Sequence, residues 1–282
     1  MKVWIVTAFA KIATAGNLAG VAVVDEFPSD KTMLSIASEL NYSETAFVKP
    51  LNSASVIDKL EASDEPTDFY EIRWFTPKYE VDLCGHATMA SAFLLWNQGF
   101  SQATKISFMS KSGPLHALKV GEEITLDFPL QSTMNLEGFV FNWEKALGGP
   151  HPINTAIGFG AFTEYIVELE STKELANLKP DIDEIAKLPG NGLIVTAKGE
   201  DFGPYDFVSR VFAPQDGIPE DPVTISAHCK LAHYWEERFG KTKFLAFQAS
   251  ARGGEIKLER HGKRVLFTGS ALLIESRIIP AL

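Results

Sequence analysis

Two stretches of the chain, residues 86–97 and 226–238, are apolar on most helical faces, whereas Thr32–Leu40 has a polar back. A helix that is apolar all round is buried, so we expect each of the two stretches to form a helix wrapped by its own sheet. Runs rich in β-branched and aromatic residues predict strands at Val3–Phe9, Val21–Val24, Glu71–Phe75 and Thr163–Leu169. The pattern therefore predicts an α/β or α+β fold.

The pattern occurs twice along the chain. The pentapeptide R-W-F-T-P that begins at Arg73 reappears as R-V-F-A-P at Arg210, and each copy is followed by a turn and then by one of the apolar helical stretches. Two glycines that suit helix ends, Gly99 and Gly240, lie 141 positions apart. The regular offset favours a duplicated fold over the alternative, two unrelated segments of similar composition.

We therefore predict two pseudo-symmetric halves, residues 1–129 and 130–282, each a barrel-like sheet wrapped around a central helix. The length of 282 residues suits two modest domains. The boundary is expected near Asp127-Phe128-Pro129, with the option that the final strand returns to the first half. A cleft between two such halves is the usual place for a ligand.

Composition and charge exclude several classes of protein. With 26 basic and 36 acidic residues the net charge is −10, and no cluster of Lys or Arg could follow a phosphate backbone, so nucleic-acid binding is not expected. No apolar run approaches the ~20 residues of a membrane span. The apolar start resembles a short signal peptide, but Lys11 interrupts it, which favours a buried first strand. Cys84 and Cys229 are too few for a disulfide framework, which favours a cytoplasmic protein.

The starts of the two apolar helices are candidate anion sites. In a pseudo-twofold arrangement both helix N-termini would point towards one cleft, where free N–H groups and the positive end of each helix dipole bind a carboxylate. Ordinary capping of these helices without any ligand is the alternative.

Four segments of the chain resemble the PhzF-like family of phenazine-biosynthesis proteins, whose fold is that of diaminopimelate epimerase. The segments are A-G-N at 15–17, S-E-T-A-F-V at 43–48, R-W-F-T-P with D-L-C-G-H-A-T at 73–77 and 82–88, and G-I-P-E-D-P-V-T-I-S-A-H at 217–228. The last two are long and specific, and the likeness covers most of the chain. The resemblance implies a cofactor-independent isomerase or epimerase that moves a proton within a small carboxylate-bearing substrate, and it implies a homodimer.

The resemblance also assigns roles to single residues. Glu44 matches the family's proton-transferring base, while His86 and Asp221 match residues that orient the substrate or share its proton. Substrate binding is assigned to the positions of Asn17, Gly85, Ala87, Ile225 and Ser226. Without the resemblance, Glu44 could equally be an exposed strand residue, His86 a helix-cap histidine and Asp221 a turn residue before proline.

One position departs from the family pattern. The family usually has glycine in T-G-S-A-H, where this chain has Ile225. A β-branched residue costs ~1–3 kcal/mol if the backbone there needs a positive φ. Otherwise its side chain crowds the anion site, and in either case the choice of substrate or the activity itself changes.

Two other functions remain open. The first is a racemase with two thiols, for which Cys84 matches one cysteine position, but Thr224 occupies the second and Cys229 lies more than a helical turn further on. The second is a small-molecule binding protein whose chemistry has been lost, with Ile225 as the sign of that loss.

No metal or cofactor is expected. The G-F-G at 158–160 lacks the third glycine of a dinucleotide motif and precedes a strand, so it predicts a turn. Cys229 and His233 lie four positions apart on a helix and could form at most half of a metal site. Asp181, with Glu184 three positions later, is better explained as a helix cap than as a metal ligand.

Overall fold

The computed structural model describes residues 1–51 and 66–280. The chain folds into two units, Met1–Phe128 with Phe267–Leu282, and Pro129–Leu266. The helices of the described residues are α1 Asp30–Leu40, α2 Gly85–Asn97, α3 Trp143–Leu147, α4 Thr172–Ala176, α5 Ile182–Ile185 and α6 Ile225–Phe239, with a 3-10 turn at Pro214–Asp216. Across the two described ranges, every helix is too short or too polar to cross a membrane.

The first unit is built from strands around α2. Its strands are β1 Lys2–Ala8, β2 Asn17–Val23, β3 Glu44–Pro50, β4 Thr67–Phe75, β5 Glu80–Val81, β6 Lys105–Ser110, β7 Gly113–Val120, β8 Glu123–Pro129 and β18 Ala271–Ile278. β1 pairs antiparallel with β18 and β2, whereas β2 and β3 run parallel. β4 pairs antiparallel with β3 and β5 and parallel with β6, and β6, β7 and β8 follow one another antiparallel.

The second unit repeats this order. Its strands are β9 Thr133–Asn135, β10 Asn154–Gly158, β11 Glu164–Glu168, β12 Gly192–Lys198, β13 Phe207–Ala213, β14 Ile218–Asp221, β15 Lys243–Gln248 and β16 Gly254–His261; β17, Arg264–Gly269, crosses the boundary between the units. β10 is antiparallel to β9 and β11, and β11 and β12 are parallel. β13 is antiparallel to β12 and β14 but parallel to β15, which is antiparallel to β16. The predicted α+β class is confirmed, and the shared strand order agrees with the sequence repeat.

The repeated pentapeptide has the same structural role in each unit. Arg73 on β4 donates two hydrogen bonds to Glu80 on β5, both 2.7 Å long. Arg210 on β13 donates two to Glu220 on β14, at 2.7 and 2.9 Å. Paired bonds of this kind combine strength with a fixed geometry. Each arginine therefore fixes the hairpin that leads into the central helix of its unit.

The two apolar helices are central to their units, as their sequence predicts. Ten of the thirteen residues of α2 are buried, and it packs on β1, β2, β3 and β18. Ten of the fifteen residues of α6 are buried, and it packs on β9 and β16. Gly99 and Gly240 have φ of 73° and 65°, so both adopt the left-handed conformation expected of a glycine at a helix end.

A buried ion pair explains the G-F-G sequence. Lys230 on α6 is fully buried, and its Nζ donates to Glu164 Oε2 at 2.7 Å and to Gln131 Oε1 at 2.6 Å. A Cβ on Gly158 would lie 2.4 Å from Lys230 Cδ, and one on Gly160 would lie 2.3 Å from the Gln131 amide carbon. The glycines leave room for the ion pair, and the predicted turn is confirmed.

The second unit also contains the predicted helix cap at Asp181 and the pair Cys229 and His233. Asp181 caps α5, because its Oδ1 accepts the Glu184 N–H at 3.0 Å, as expected. His233 Nδ1 lies 2.9 Å from Thr133 Oγ1, and burial raises the pKa of Cys229 to about 12. Among the described residues, neither Cys229 nor His233 belongs to a group of three potential metal ligands.

Candidate active site

Three predicted site residues of the first unit meet where two strands and a helix begin. Asn17 begins β2, Glu44 begins β3, and His86 is the second residue of α2. β2 and β3 are parallel with Ala19 opposite Glu44, so the starts of both strands lie at the same end of the sheet. The side chains therefore converge although they lie far apart in the sequence.

A tight turn positions Asn17. Gly16 has a φ of 71°, and a Cβ on it would lie only 2.2 Å from the carbonyl oxygen of Ala8. Thr7 Oγ1 donates to the carbonyl oxygen of Ala15 at 2.6 Å and holds the other side of the turn. Only glycine fits this position, which explains why A-G-N precedes the strand.

The side chains form a compact polar group around a histidine. His86 Nδ1 lies 3.2 Å from Asn17 Nδ2 and 3.6 Å from Cys84 Sγ, and His86 Nε2 lies 3.3 Å from Glu44 Oε2. With the Asn17 amide in this orientation its nitrogen donates, so Nδ1 accepts and the proton of the neutral ring is on Nε2, facing Glu44. The His86 side chain is 3% exposed and that of Glu44 is 14% exposed.

The histidine is neutral and its contact with Glu44 is not a salt bridge. Burial lowers the pKa of His86 to about 3. Although Nε2 lies at ion-pair distance from Glu44, the contact lacks hydrogen-bond alignment, and Nε2 has no hydrogen bond to any residue that the structure describes. The Nε2–H of His86 is therefore available to donate to a ligand beside Glu44, but His86 does not supply a positive charge.

The first turns of the two central helices lack side-chain caps. Neither Cys84, at the N-cap of α2, nor Thr224, at the N-cap of α6, accepts an N–H bond from its helix. The other described α-helices each have a side-chain cap, provided by Ser29, Asn142, Ser171 and Asp181. Uncapped amides at the start of a long helix are what an anion site requires. Gly85 and Ala87 lie on the first turn of α2, and Ile225 and Ser226 on that of α6.

A second polar group lies in the second unit. Asp221, 6% exposed, accepts a hydrogen bond of 2.5 Å from Thr224 Oγ1. Gln248 is fully buried, and both the oxygen and the nitrogen of its side-chain amide form hydrogen bonds in this group. Its Oε1 accepts the Thr224 N–H at 2.8 Å, and its Nε2 donates to the Asp221 carbonyl oxygen at 2.7 Å and to Thr224 Oγ1 at 3.1 Å. Because Gln248 donates to the hydroxyl of Thr224, that hydroxyl is left to donate to Asp221.

Gln248 is a residue that the sequence analysis missed. It ends the strand K-F-L-A-F-Q, in which Phe244 and Ala246 occupy the buried positions of the alternation. The period of two places Gln248 on that same buried face. A buried amide needs partners, so this position was a detectable sign of a polar network.

Ile225 is compatible with the backbone of the first turn of α6. Ile225 is the first residue of the helix and does not have a positive φ. In the described part of the chain, the non-glycine residues that do are Phe9 and Asn41. The strain considered for this position is therefore absent. The side chain is 1% exposed, and its predicted effect on a bound carboxylate stays a prediction.

The site also contains a group of potential metal ligands that the sequence did not indicate. Glu44, Cys84 and His86 each offer one ligand atom, and these atoms lie within 4.8 Å of one another. Glu44 is distant from the other two along the chain, which is why the spacing of the motifs gave no sign of the group. The site residues assigned to the second unit, Asp221 and Ser226, are not members of it.

We expect the amide of Gln248 to make a measurable contribution to stability. Gln248→Met keeps the length of the side chain but leaves the Thr224 N–H and the Asp221 carbonyl oxygen without their partner, which costs ~1–3 kcal/mol for a buried group. Ser250→Ala is the control, because it removes a half-buried hydroxyl that donates to the Pro222 carbonyl oxygen at 2.8 Å and accepts the Gly253 N–H at 3.0 Å. Urea denaturation of both variants measures the difference. Equal losses would show that the amide has no special role.

Comparison with known proteins agrees with the resemblance found in the sequence. The family model described as phenazine biosynthesis-like protein matches residues 6–277. An uncharacterized isomerase of Halalkalibacterium halodurans is 40% identical over 273 residues, covering 96% of each chain, and one of Pseudomonas aeruginosa is 41% identical over 271 residues, covering 96% of this chain and 95% of the other. The crystal structure of a PhzF-family protein from Enterococcus faecalis has a TM-score of 0.81 and 36% identity, covering 98% of this chain and 97% of that one.

Proposed function

The chain belongs to the PhzC/PhzF family of phenazine biosynthesis-like proteins and is an isomerase, and we propose that a single carboxylate, Glu44, performs its proton transfer. In this proposal Glu44 removes a proton from a carbon atom of a small carboxylate-bearing substrate and returns it to another position on the same face. The reaction needs no metal and no organic cofactor.

The contact between Glu44 and a buried, neutral histidine is the observation that carries this proposal. A general base has to be within about 2.6–3.2 Å of the proton that it removes. The Glu44 carboxylate is partly exposed, so a substrate can approach it, while His86 Nε2 lies 3.3 Å away on the buried side. His86 is neutral, so it does not offer the carboxylate a cationic partner that would compete with the substrate.

The first turn of α2 supports the binding of a substrate carboxylate close to this base. Cys84 provides no side-chain cap, so the amides around Gly85 and Ala87 are suited to an anion. The helix dipole adds ~0.3–1 kcal/mol at an exposed site. The roles that the resemblance gives to Asp221, for sharing the proton, and Ser226, for holding the carboxylate, remain part of the proposal.

A racemase with two thiols is less well supported. Cys84 lies 3.6 Å from His86 Nδ1, which suits a reactive thiol. In such a racemase the second cysteine would occupy the position of Thr224. Here the hydroxyl of Thr224 donates to Asp221. Cys229 is fully buried and its pKa is raised to about 12, so it is not a thiolate at neutral pH. The residues at these positions therefore fit a single carboxylate base better than a pair of thiols.

Hydrogen exchange tests the proposed function directly. The protein is incubated in deuterated water with a panel of small carboxylic acids that carry an acidic C–H bond, and proton NMR follows both exchange and the formation of new products. We expect at least one member to be rearranged or exchanged, and the reaction to disappear in Glu44→Gln. A reaction at full rate in that variant, or no reaction with any acid of the panel, would count against the proposal.

Ile225→Gly should widen the carboxylate specificity. Removal of a buried side chain from the first turn of α6 gives an anion more room at the helix amides, so binding should tighten by up to about tenfold, or ~1.4 kcal/mol. Calorimetry with the same panel of acids measures this, and circular dichroism checks that the helix is intact. Unchanged binding across the panel would show that Ile225 does not contact the ligand.

A further inference from the structure

The donors of Glu44, Cys84 and His86 are a carboxylate, a thiol and an imidazole. This combination is typical of Zn²⁺ ligands and unlike the all-oxygen sets that bind Mg²⁺ or Ca²⁺. The three residues are rigidly placed, since Cys84 is the N-cap of α2, His86 follows on its first turn, and Glu44 begins β3. Rigid donors lose little conformational freedom when they bind an ion.

The donors lie close enough together to converge on one tetrahedral ion after a small movement of the side chains. Zn–S of ~2.3 Å and Zn–N of ~2.05 Å place sulfur and nitrogen about 3.6 Å apart at a tetrahedral angle, and nitrogen and oxygen about 3.4 Å apart. The observed contacts of His86 are 3.6 Å to Cys84 Sγ and 3.3 Å to Glu44 Oε2. These two contacts start from different ring nitrogens, and a single set of three donors lies within 4.8 Å. The side chains must therefore move closer together to share one ion.

An unsatisfied ring nitrogen points to a missing ligand. His86 Nε2 is buried and makes no hydrogen bond with the described residues, which is an unfavourable state for a buried polar atom. The other nitrogen is held by the Asn17 amide at 3.2 Å. Since amide oxygen and nitrogen can exchange places by a half-turn, Asn17 can accept from Nδ1–H and leave Nε2 free to coordinate. A metal-binding histidine is usually oriented by such a partner on its second nitrogen.

We propose that Glu44, Cys84 and His86 bind Zn²⁺ and that the bound zinc inhibits the enzyme. Coordination releases the proton of the Cys84 thiol and occupies the carboxylate oxygen that Glu44 needs to accept a substrate proton. Three protein ligands leave one position for water or for a substrate carboxylate, and the partly exposed Glu44 gives access to it. Metal binding stands on the donor geometry alone, whereas the inhibition rests on the proposed role of Glu44.

Cobalt provides a test of the site that does not depend on activity. Co²⁺ added to the metal-free protein should give the visible bands of a tetrahedral ion and a thiolate-to-metal charge-transfer band in the near ultraviolet. Cys84→Ser should abolish the charge-transfer band, and Cys229→Ser, which changes a cysteine outside the group, should keep it. Absence of the band in the wild-type protein, or its loss in Cys229→Ser, would overturn the proposed site.

Calorimetry then measures the ion itself. Zn²⁺ should bind with one ion per chain, and Mg²⁺ should not bind. Loss of a direct ligand in Cys84→Ser or His86→Gln should raise the Kd at least as much as the ~10–100-fold that loss of an outer-shell partner costs. Equal Zn²⁺ affinity in the wild-type protein and both variants would place the ion elsewhere and overturn the proposal.

Activity separates the two parts of the inference. Zn²⁺ should stop the exchange reaction, EDTA should restore it, and protein treated with EDTA from the start should be fully active. Zinc that binds to the three residues without slowing the reaction would overturn the inhibition. Activity lost on chelation and restored by zinc would contradict it as well, since zinc would then be an activator. Zinc binding in a protein that acts on no carboxylate would leave the site intact while the proposed function fails.

Discussion

Glu44→Gln should lower turnover by at least ~100-fold and leave most of the affinity for a carboxylate ligand, because the amide keeps the shape of the side chain but cannot accept the substrate proton. General acid–base catalysis contributes typically ~10²–10⁴-fold, and an effect confined to the chemical step appears in kcat and not in binding. Calorimetry and turnover assays on the same preparation separate the two quantities.

Glu71→Gln is a suitable control for this substitution. Glu71 lies on β4, and its carboxylate forms an ion pair of 3.1 Å with Lys49, away from the Asn17, Glu44 and His86 group. The same chemical change there should leave turnover nearly unaltered. If Glu44→Gln lost affinity and not turnover, Glu44 would be a binding residue and the proton would be moved by another group.

Lys230→Met should be among the most destabilising single substitutions in the second unit. Lys230 is fully buried and the side chain of Glu164 is 5% exposed, so removal of the cation leaves a carboxylate in the interior without its partner. Breaking a buried ion pair from one side costs about 3–5 kcal/mol. Urea denaturation should show this loss as a shift of the midpoint at an unchanged slope.

The double variant Lys230→Met with Glu164→Gln tests the cause of that loss. Without the charge on Glu164 the penalty for an unpaired ion disappears, and well-packed neutral replacements of buried ion pairs are often close to neutral. We therefore expect the double variant to be more stable than Lys230→Met alone. If the two losses simply added, packing of the lysine side chain against Gly158 would be the main contribution instead.

The fold was predictable where burial and repetition determine it. The two central helices lack a polar face, and their glycine ends and repeated preceding hairpins were visible in the sequence. The strand boundaries predicted from the sequence agreed less well with the structure. β2 begins at Asn17 and not at Val21, because its register with β1 pairs Ala8 with Asn17, while the polar residue and Gly20 hide the strand in the hydrophobic pattern.

The candidate site was predictable only through the motifs that carry the family resemblance. Local sequence could not indicate that Glu44 lies beside His86, because the parallel pairing of β2 with β3 and the packing of the central helix on these strands bring the two together. In the sequence, Lys230 looks like an ordinary surface lysine on a helix, so its burial was not predictable. Its partner Glu164 lies far away in the sequence. Long-range polar contacts of this kind depend on tertiary structure and leave no periodic signal.

The assignment of the base is tested most directly by comparing Glu44→Gln with Cys84→Ser in one exchange experiment. Wild type and both variants are incubated in deuterated water with the acid from the panel that reacts fastest, and NMR records product formation beside exchange, since internal return of the proton would make exchange faint. We predict that Glu44→Gln loses at least ~100-fold of both, and that Cys84→Ser, which keeps the base, loses far less. Serine is a much weaker base than a thiolate, so full activity in Glu44→Gln together with no activity in Cys84→Ser would contradict the account.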